Sequence, residues 1–216
     1  QYLVDKTFES AFSYSGQKCS ACSRLYMPQF MLPEFLEKME VRIRDFLQIH
    51  GDNYGVINEK SWLKTKDTLA RIESTGYAEI IRGGTVYEEN YYVEPTIVNV
   101  TNPRNFLFSE EFFAPILSIY TYTPDKLEET MELCRESSGY ALTGAVFSKD
   151  KNFTNYFKEQ MKYTCGNFYI NDKSTGSVVG QQPFGGSGNS GTNDKAGDIN
   201  FIYRLTNQKN VKECLR

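Results

Sequence analysis

The sequence predicts an α/β protein built on a parallel sheet, and two observations carry that prediction. Strand-like and helix-like segments alternate from Ile116 to Ile170. Alternation of this kind implies parallel strands joined by helical crossovers. The helical segments also repeat their apolar residues every three or four positions, the period of a face that packs on a sheet.

Taken in order, Val4, Phe8 and Phe12 recur every four residues and predict a short helix leading to Tyr14. A strand at Leu25–Met27 follows. A helix from about Pro33 to Leu47 carries Phe35, Leu36, Met39, Ile43 and Phe46 on one stripe, and Pro33 suits a first turn. Gly51–Gly55 reads as a loop. The next helix runs from about Glu59 to Glu73, with Asn58 as its cap and Trp62, Leu69 and Ile72 turned inward. Ala78–Arg82 and Tyr91–Val100 read as strands, the second interrupted at Pro95 because proline cannot donate to a ladder. Ile116–Tyr120 is a buried strand, Pro124–Glu136 a helix, Gly144–Phe147 a strand, Asp150–Tyr163 a helix and Asn167–Ile170 a strand. Phe201–Tyr203 is expected to form a final strand. The pattern turns polar near Asp194–Asn200, which divides the chain into residues 1–193 and a tail of 194–216.

With 216 residues, 40% hydrophobic and 14% aromatic, the chain has ample material for a core. A formal charge of −3 without a basic cluster argues against nucleic acid and anionic membranes as partners. No apolar run approaches the roughly 20 residues that span a bilayer. Five cysteines, an odd number at ordinary density, favour a reducing compartment. The chain begins at Gln1 with no targeting segment and reads as part of something longer.

The stretch Gly16–Arg24 is polar, rich in small residues and centred on Cys19. A thiol in a tight turn between two ordered elements can be favoured as thiolate by backbone N–H groups and by an adjacent lysine, here Lys18. Cys19 is therefore the candidate nucleophile. Most free cysteines are small buried hydrophobes, and Cys22, Cys134, Cys165 and Cys214 are read that way. Cys19-x-x-Cys22 could be half a zinc site, but such a site needs about four ligands and no second pair exists, so no metal is expected. A thioredoxin-like pair opens a helix, whereas this one leads into strand residues. Gly186-x-Gly188-x-x-Gly191 matches the dinucleotide fingerprint in letters only, since no strand precedes it and no helix follows.

Gly16-Gln17-Lys18-Cys19 with Ser23-Arg24 resembles the active-site signature of the aldehyde dehydrogenase superfamily. Glu110-Glu111-Phe112-Phe113-Ala114-Pro115 resembles its cofactor motif, Gly166–Asn171 its late core strand, and Pro183-Phe184-Gly185-Gly186 through Ser190-Gly191 its C-terminal loop. Gln17–Tyr26 and Asn171–Ser177 are similar to the branch that oxidises glutamate γ-semialdehyde. The likeness covers nearly the whole chain but only the C-terminal part of such enzymes, whose nucleotide-binding half would precede Gln1.

The resemblance implies a parallel-sheet catalytic domain with a C-terminal oligomerisation strand in a homodimer or higher homo-oligomer. It implies NAD-dependent oxidation of L-glutamate γ-semialdehyde to L-glutamate in proline catabolism, and placement in the mitochondrial matrix. Cys19 would form a thiohemiacetal and then a thioester. Lys18, Ser20, Gly176, Ser177 and Phe184 match positions that hold the amino-acid end of the substrate. Small residues at Gly176-Ser177 leave room for backbone N–H groups and a hydroxyl to bind a carboxylate, and Phe184 can pack on aliphatic carbons. Glu111 and Phe113 match residues that contact the nicotinamide riboside. Ala114 stands where glycine is usual, which would strain the loop if that position required positive φ. Two other readings stay open: a structural or interaction module without catalysis, and an NAD-independent thiol esterase that would need His50 as base. A bifunctional proline-oxidising parent is also compatible.

Overall fold

The computed structural model describes residues 1–51 and 55–214; three residues of the loop expected at Gly51–Gly55 fall outside it. Its centre is a four-stranded sheet in the order β2-β5-β6-β1. β1 (Arg24–Pro28), β6 (Ile116–Tyr122) and β5 (Thr96–Val100) run parallel, and β2 (Ala78–Arg82) pairs antiparallel with β5 at the edge. Arg24 lies opposite Ser118, and Thr96 opposite Ile116. A separate parallel pair joins β8 (Thr143–Val146) to β9 (Asn167–Ile170). Two short antiparallel pairs complete the strands: β3 (Val86–Tyr87) with β4 (Tyr92–Val93), and β7 (Tyr140–Ala141) with β10 (Ser187–Gly188).

Successive residues of a strand point to opposite faces, and both faces of this sheet are covered. Ile97, Leu117 and Ile119 pack with Val4, Phe8 and Phe12 of α1 (Tyr2–Phe12) and Phe35, Met39 and Ile43 of α2 (Leu32–His50). Val98, Val100 and Ile116 face the other way, against Leu69 and Ile72 of α3 (Glu59–Ser74). Burial on both sides explains why β5 and β6 read as continuous apolar runs rather than as alternating patterns. Asn58 caps α3, its side-chain oxygen accepting from Ser61 N at 2.9 Å. Asp150 does the same for α5 (Lys151–Gln160). A turn of 3₁₀ helix at Pro124–Lys126 leads into α4 (Leu127–Glu136). Pro95 separates β4 from β5, as its missing N–H requires.

The expected strand at Phe201–Tyr203 is not formed. These residues lie in a short helix, α6 (Ile199–Arg204), and residues 205–214 have no regular structure. Asp198 supplies a helix cap that the strand reading overlooked, its carboxylate accepting from Asn200 N at 2.8 Å. The three-residue apolar run is too short for periodicity to tell helix from strand. Among the described residues no helix is long and apolar enough to cross a membrane.

Leu117 is fully buried on the middle strand, so Leu117→Ala is expected to cost about 2–5 kcal/mol. Removing the cap with Asn58→Ala is expected to cost about 1 kcal/mol. Equilibrium urea unfolding measures both, and an equal or reversed ranking would contradict the layered core.

Candidate active site

Two loops enter the amino-terminal end of the parallel strand pair β1-β6, and one glycine makes their approach possible. Gly16 has φ +68, and a Cβ there would sit 2.3 Å from the Ala114 carbonyl oxygen. Only glycine takes that conformation without cost and leaves the space. The turn that follows closes with Ala21 N donating to Lys18 O at 3.0 Å, which puts Cys19 and Ser20 at its tip. Gln17 fixes the turn from the side: its side-chain oxygen accepts from Ile57 N at 2.7 Å. Cys22 N donates to Ser10 O at 3.1 Å, so the exit of the turn is anchored to α1. The Cys19 side chain at the tip is exposed.

Glu111 and Phe113 sit on the opposing loop. Lys64 donates to Glu111 O at 2.8 Å, tying this loop to α3. The neighbouring Glu110 is engaged by Arg71 at 2.9 Å, whereas no side chain among the described residues pairs with the Glu111 carboxylate. That exposed carboxylate and the exposed Phe113 ring are available to a ligand. Positive φ belongs to Phe113, at 55°, and not to Ala114. Ala114 is buried, and its methyl causes no backbone strain.

Lys18, Cys19, Glu111 and Phe113 all line one cavity of about 750 Å³, which continues between β1 and β8. The Lys18 ammonium lies over the Tyr14 ring, 4.6 Å from its centroid. Burial lowers its pKa, and the nearby Lys173 adds to that. Gly176, Ser177 and Phe184 do not line this cavity. Gly176 and Ser177 follow β9 at its carboxyl end, the usual ligand-binding end of a parallel strand. Two of the donors there are already used: Gly176 N donates to Lys173 O at 3.0 Å, and Ser177 Oγ to Gln182 O at 3.2 Å. A carboxylate would displace the longer bond. Phe184 is half-buried and pairs through its backbone with Ala196.

The β9 loop meets the cysteine turn through a residue that sequence reasoning missed. Ser174 Oγ donates to Ser20 O at 2.8 Å. The loop is also bound to α1 by Tyr2, Lys6 and Glu9. The spacing of those three on one helical face was the only signal available for them. His50 stacks on Phe46 at 4.5 Å and does not line the cavity. The glycine-rich segment forms β10 against β7, not the strand-to-helix turn of a dinucleotide loop.

The aldehyde dehydrogenase family profile matches residues 1–211, and the chain belongs to that family. It is 43% identical to the human mitochondrial Δ1-pyrroline-5-carboxylate dehydrogenase, over 98% of this chain and 39% of the relative. The Dictyostelium discoideum mitochondrial enzyme of the same name is 41% identical over the same shares. The NAD-bound structure of the Mycobacterium tuberculosis enzyme superposes with a TM-score of 0.83 at 32% identity, covering 95% of this chain and 38% of that one. The chain thus spans about 39% of the length of the curated relatives it matches.

Thiol labelling tests the geometry. Burial pushes the Cys22 thiol up to about 11 and raises those of Cys134 and Cys165. Iodoacetamide at pH 8 should therefore label Cys19 and Cys214 first, as read by peptide mass spectrometry. Labelling of Cys22 should rise only as pH approaches 11. Because its folded value is raised, its stabilising contribution is complete below the ordinary thiol value of 9.0 and is lost as pH rises through about 11. Gly16→Ala should destabilise the fold by about 1–3 kcal/mol through strain at positive φ, measured by urea unfolding. A neutral result would contradict the Gly16–Ala114 contact.

Proposed function

We propose that this chain is the catalytic part of an NAD-dependent dehydrogenase that converts L-glutamate γ-semialdehyde to L-glutamate in proline catabolism. The observation that carries the reading is an exposed Cys19 at the tip of a turn packed against the Glu111–Ala114 loop. The identity to enzymes named for pyrroline-5-carboxylate supports the substrate.

In this reading the Cys19 thiolate attacks the aldehyde carbon and forms a thiohemiacetal. Its oxyanion is held by preorganised donors, of which the Cys19 backbone N–H is one. NAD, when bound, supplies the acceptor for the hydride that this carbon gives up. Cys19 then carries the acyl group as a thioester until water releases glutamate. Splitting the reaction through a covalent intermediate replaces one difficult step by easier ones. The exposed Glu111 carboxylate suits a ribose diol, and Phe113 offers its ring to the nicotinamide side. Lys18 and Ser20 flank the thiol, while Gly176, Ser177 and Phe184 receive the amino-acid end. The base that activates water, and a second oxyanion donor, belong to a nucleotide-binding half of the same protein.

The protein works as a homodimer or higher homo-oligomer. The exposed Ile199, Phe201, Ile202 and Leu205 of the 194–216 tail suit association between copies. The mitochondrial names of the relatives support a matrix location.

Cys19→Ser in the full-length protein should lower NADH formation from glutamate γ-semialdehyde by at least about 10³-fold, the scale of losing a covalent nucleophile. Glutamate binding should be retained. A variant within tenfold of wild type would overturn the reading.

A further inference from the structure

We propose that Ser174 is a positioning residue that fixes the spacing between the Cys19 turn and the Gly176-Ser177 loop, and thereby selects the chain length of the aldehyde. The proposal rests on the functional reading above and adds to it the device that sets specificity.

Ser174 is buried, and its Oγ donates at 2.8 Å to the carbonyl of Ser20, a residue 154 positions away. Ser20 directly follows the nucleophile, about 3.8 Å away from Cα to Cα. Gly176 lies two residues after Ser174, at most about 7 Å along the chain. One hydrogen bond therefore closes a short path from the reacting thiol to the loop that takes the far end of the substrate.

Both ends of that path are referenced to α1. Tyr2 donates to Asn171 O at 2.9 Å, Lys6 pairs with Asp172 at 3.3 Å, and Glu9 pairs with Lys173 at 2.8 Å. These three share one face of the helix. The same helix accepts Cys22 N on Ser10 O. The ion pairs are partly exposed, and such pairs contribute little each. The Ser174 bond is different, because its hydroxyl is buried and joins the two loops directly. It is the stiff member of the frame.

An aldehyde held at both ends must match this spacing, and a misplacement of about 1 Å can cost about 10²-fold in rate. An aldehyde held only at the thiol has no such requirement. Loosening the frame should therefore weaken discrimination by length and leave the basic thiol chemistry alone.

The test compares full-length wild type, Ser174→Ala and Ser174→Thr. The substrates are glutamate γ-semialdehyde, its one-carbon-shorter homologue aspartate β-semialdehyde, and propanal, which has no carboxylate. In Ser174→Ala, kcat/KM for glutamate γ-semialdehyde should fall about 10- to 100-fold. The preference over the shorter homologue should fall with it, and propanal turnover should stay at the wild-type level. Ser174→Thr, which keeps the hydroxyl, should restore the preference. Equal loss on all three substrates, or no loss on any, would overturn the proposal. If Ser174→Ala does not fold, Glu9→Gln at the exposed end of the frame should shift the length preference in the same direction by a smaller factor, and an unchanged preference overturns the proposal. Wild type without turnover of glutamate γ-semialdehyde, but active on propanal, would instead refute the functional reading, and this proposal with it.

Discussion

The close contact between Gly16 and the Ala114 carbonyl is the constraint on which the site depends. It brings the entry to the cysteine turn within van der Waals distance of the entry to β6. β1 and β6 are paired residue by residue from Arg24 to Pro28. The turn and the Glu111–Ala114 loop are therefore two inputs to one strand pair, held by its ladder and by the buried Ile116–Ile119 stretch of β6. A side chain at position 16 would push the two inputs apart and move the thiol away from the Glu111 carboxylate.

Around this contact the polar groups fall into two kinds. Most are used by the protein itself: Glu110 by Arg71, Glu9 by Lys173, Asp172 by Lys6. Others, at the cavity, stay open. Cys19 is exposed, the Glu111 carboxylate has no side-chain partner among the described residues, and Phe113 presents its ring. These open groups share one cavity with Lys18, where a ligand from outside the chain can meet them together. The half-buried Cys22, Cys134 and Cys165 are the counterpart, their thiols held protonated by desolvation.

The sheet and its helices were legible in the sequence because both carry strong periodic signals. The long stripe from Phe35 to Ile43 and the apolar runs at Thr96–Val100 and Ile116–Tyr120 need little context. Asn58 and Pro95 marked boundaries by chemistry that acts within a few residues. The tail was misread because Phe201–Tyr203 is three residues long and its Asp198 cap was overlooked. Individual groups of the site were legible as motifs, but their juxtaposition was not. Ser174 and Ser20 are 154 residues apart, and nothing local marks a serine in a small-residue tract as a bridge. The worry over Ala114 also dissolved only in three dimensions, where Phe113 takes the left-handed conformation instead.

The most direct test of the account is substrate protection of the thiol in the full-length protein. Iodoacetamide labelling of each cysteine would be followed by peptide mass spectrometry with and without saturating glutamate, the reaction product. The account predicts that glutamate slows labelling of Cys19 severalfold and leaves Cys214 unchanged. Labelling of Cys19 that is indifferent to glutamate would contradict the claim that this turn faces the substrate.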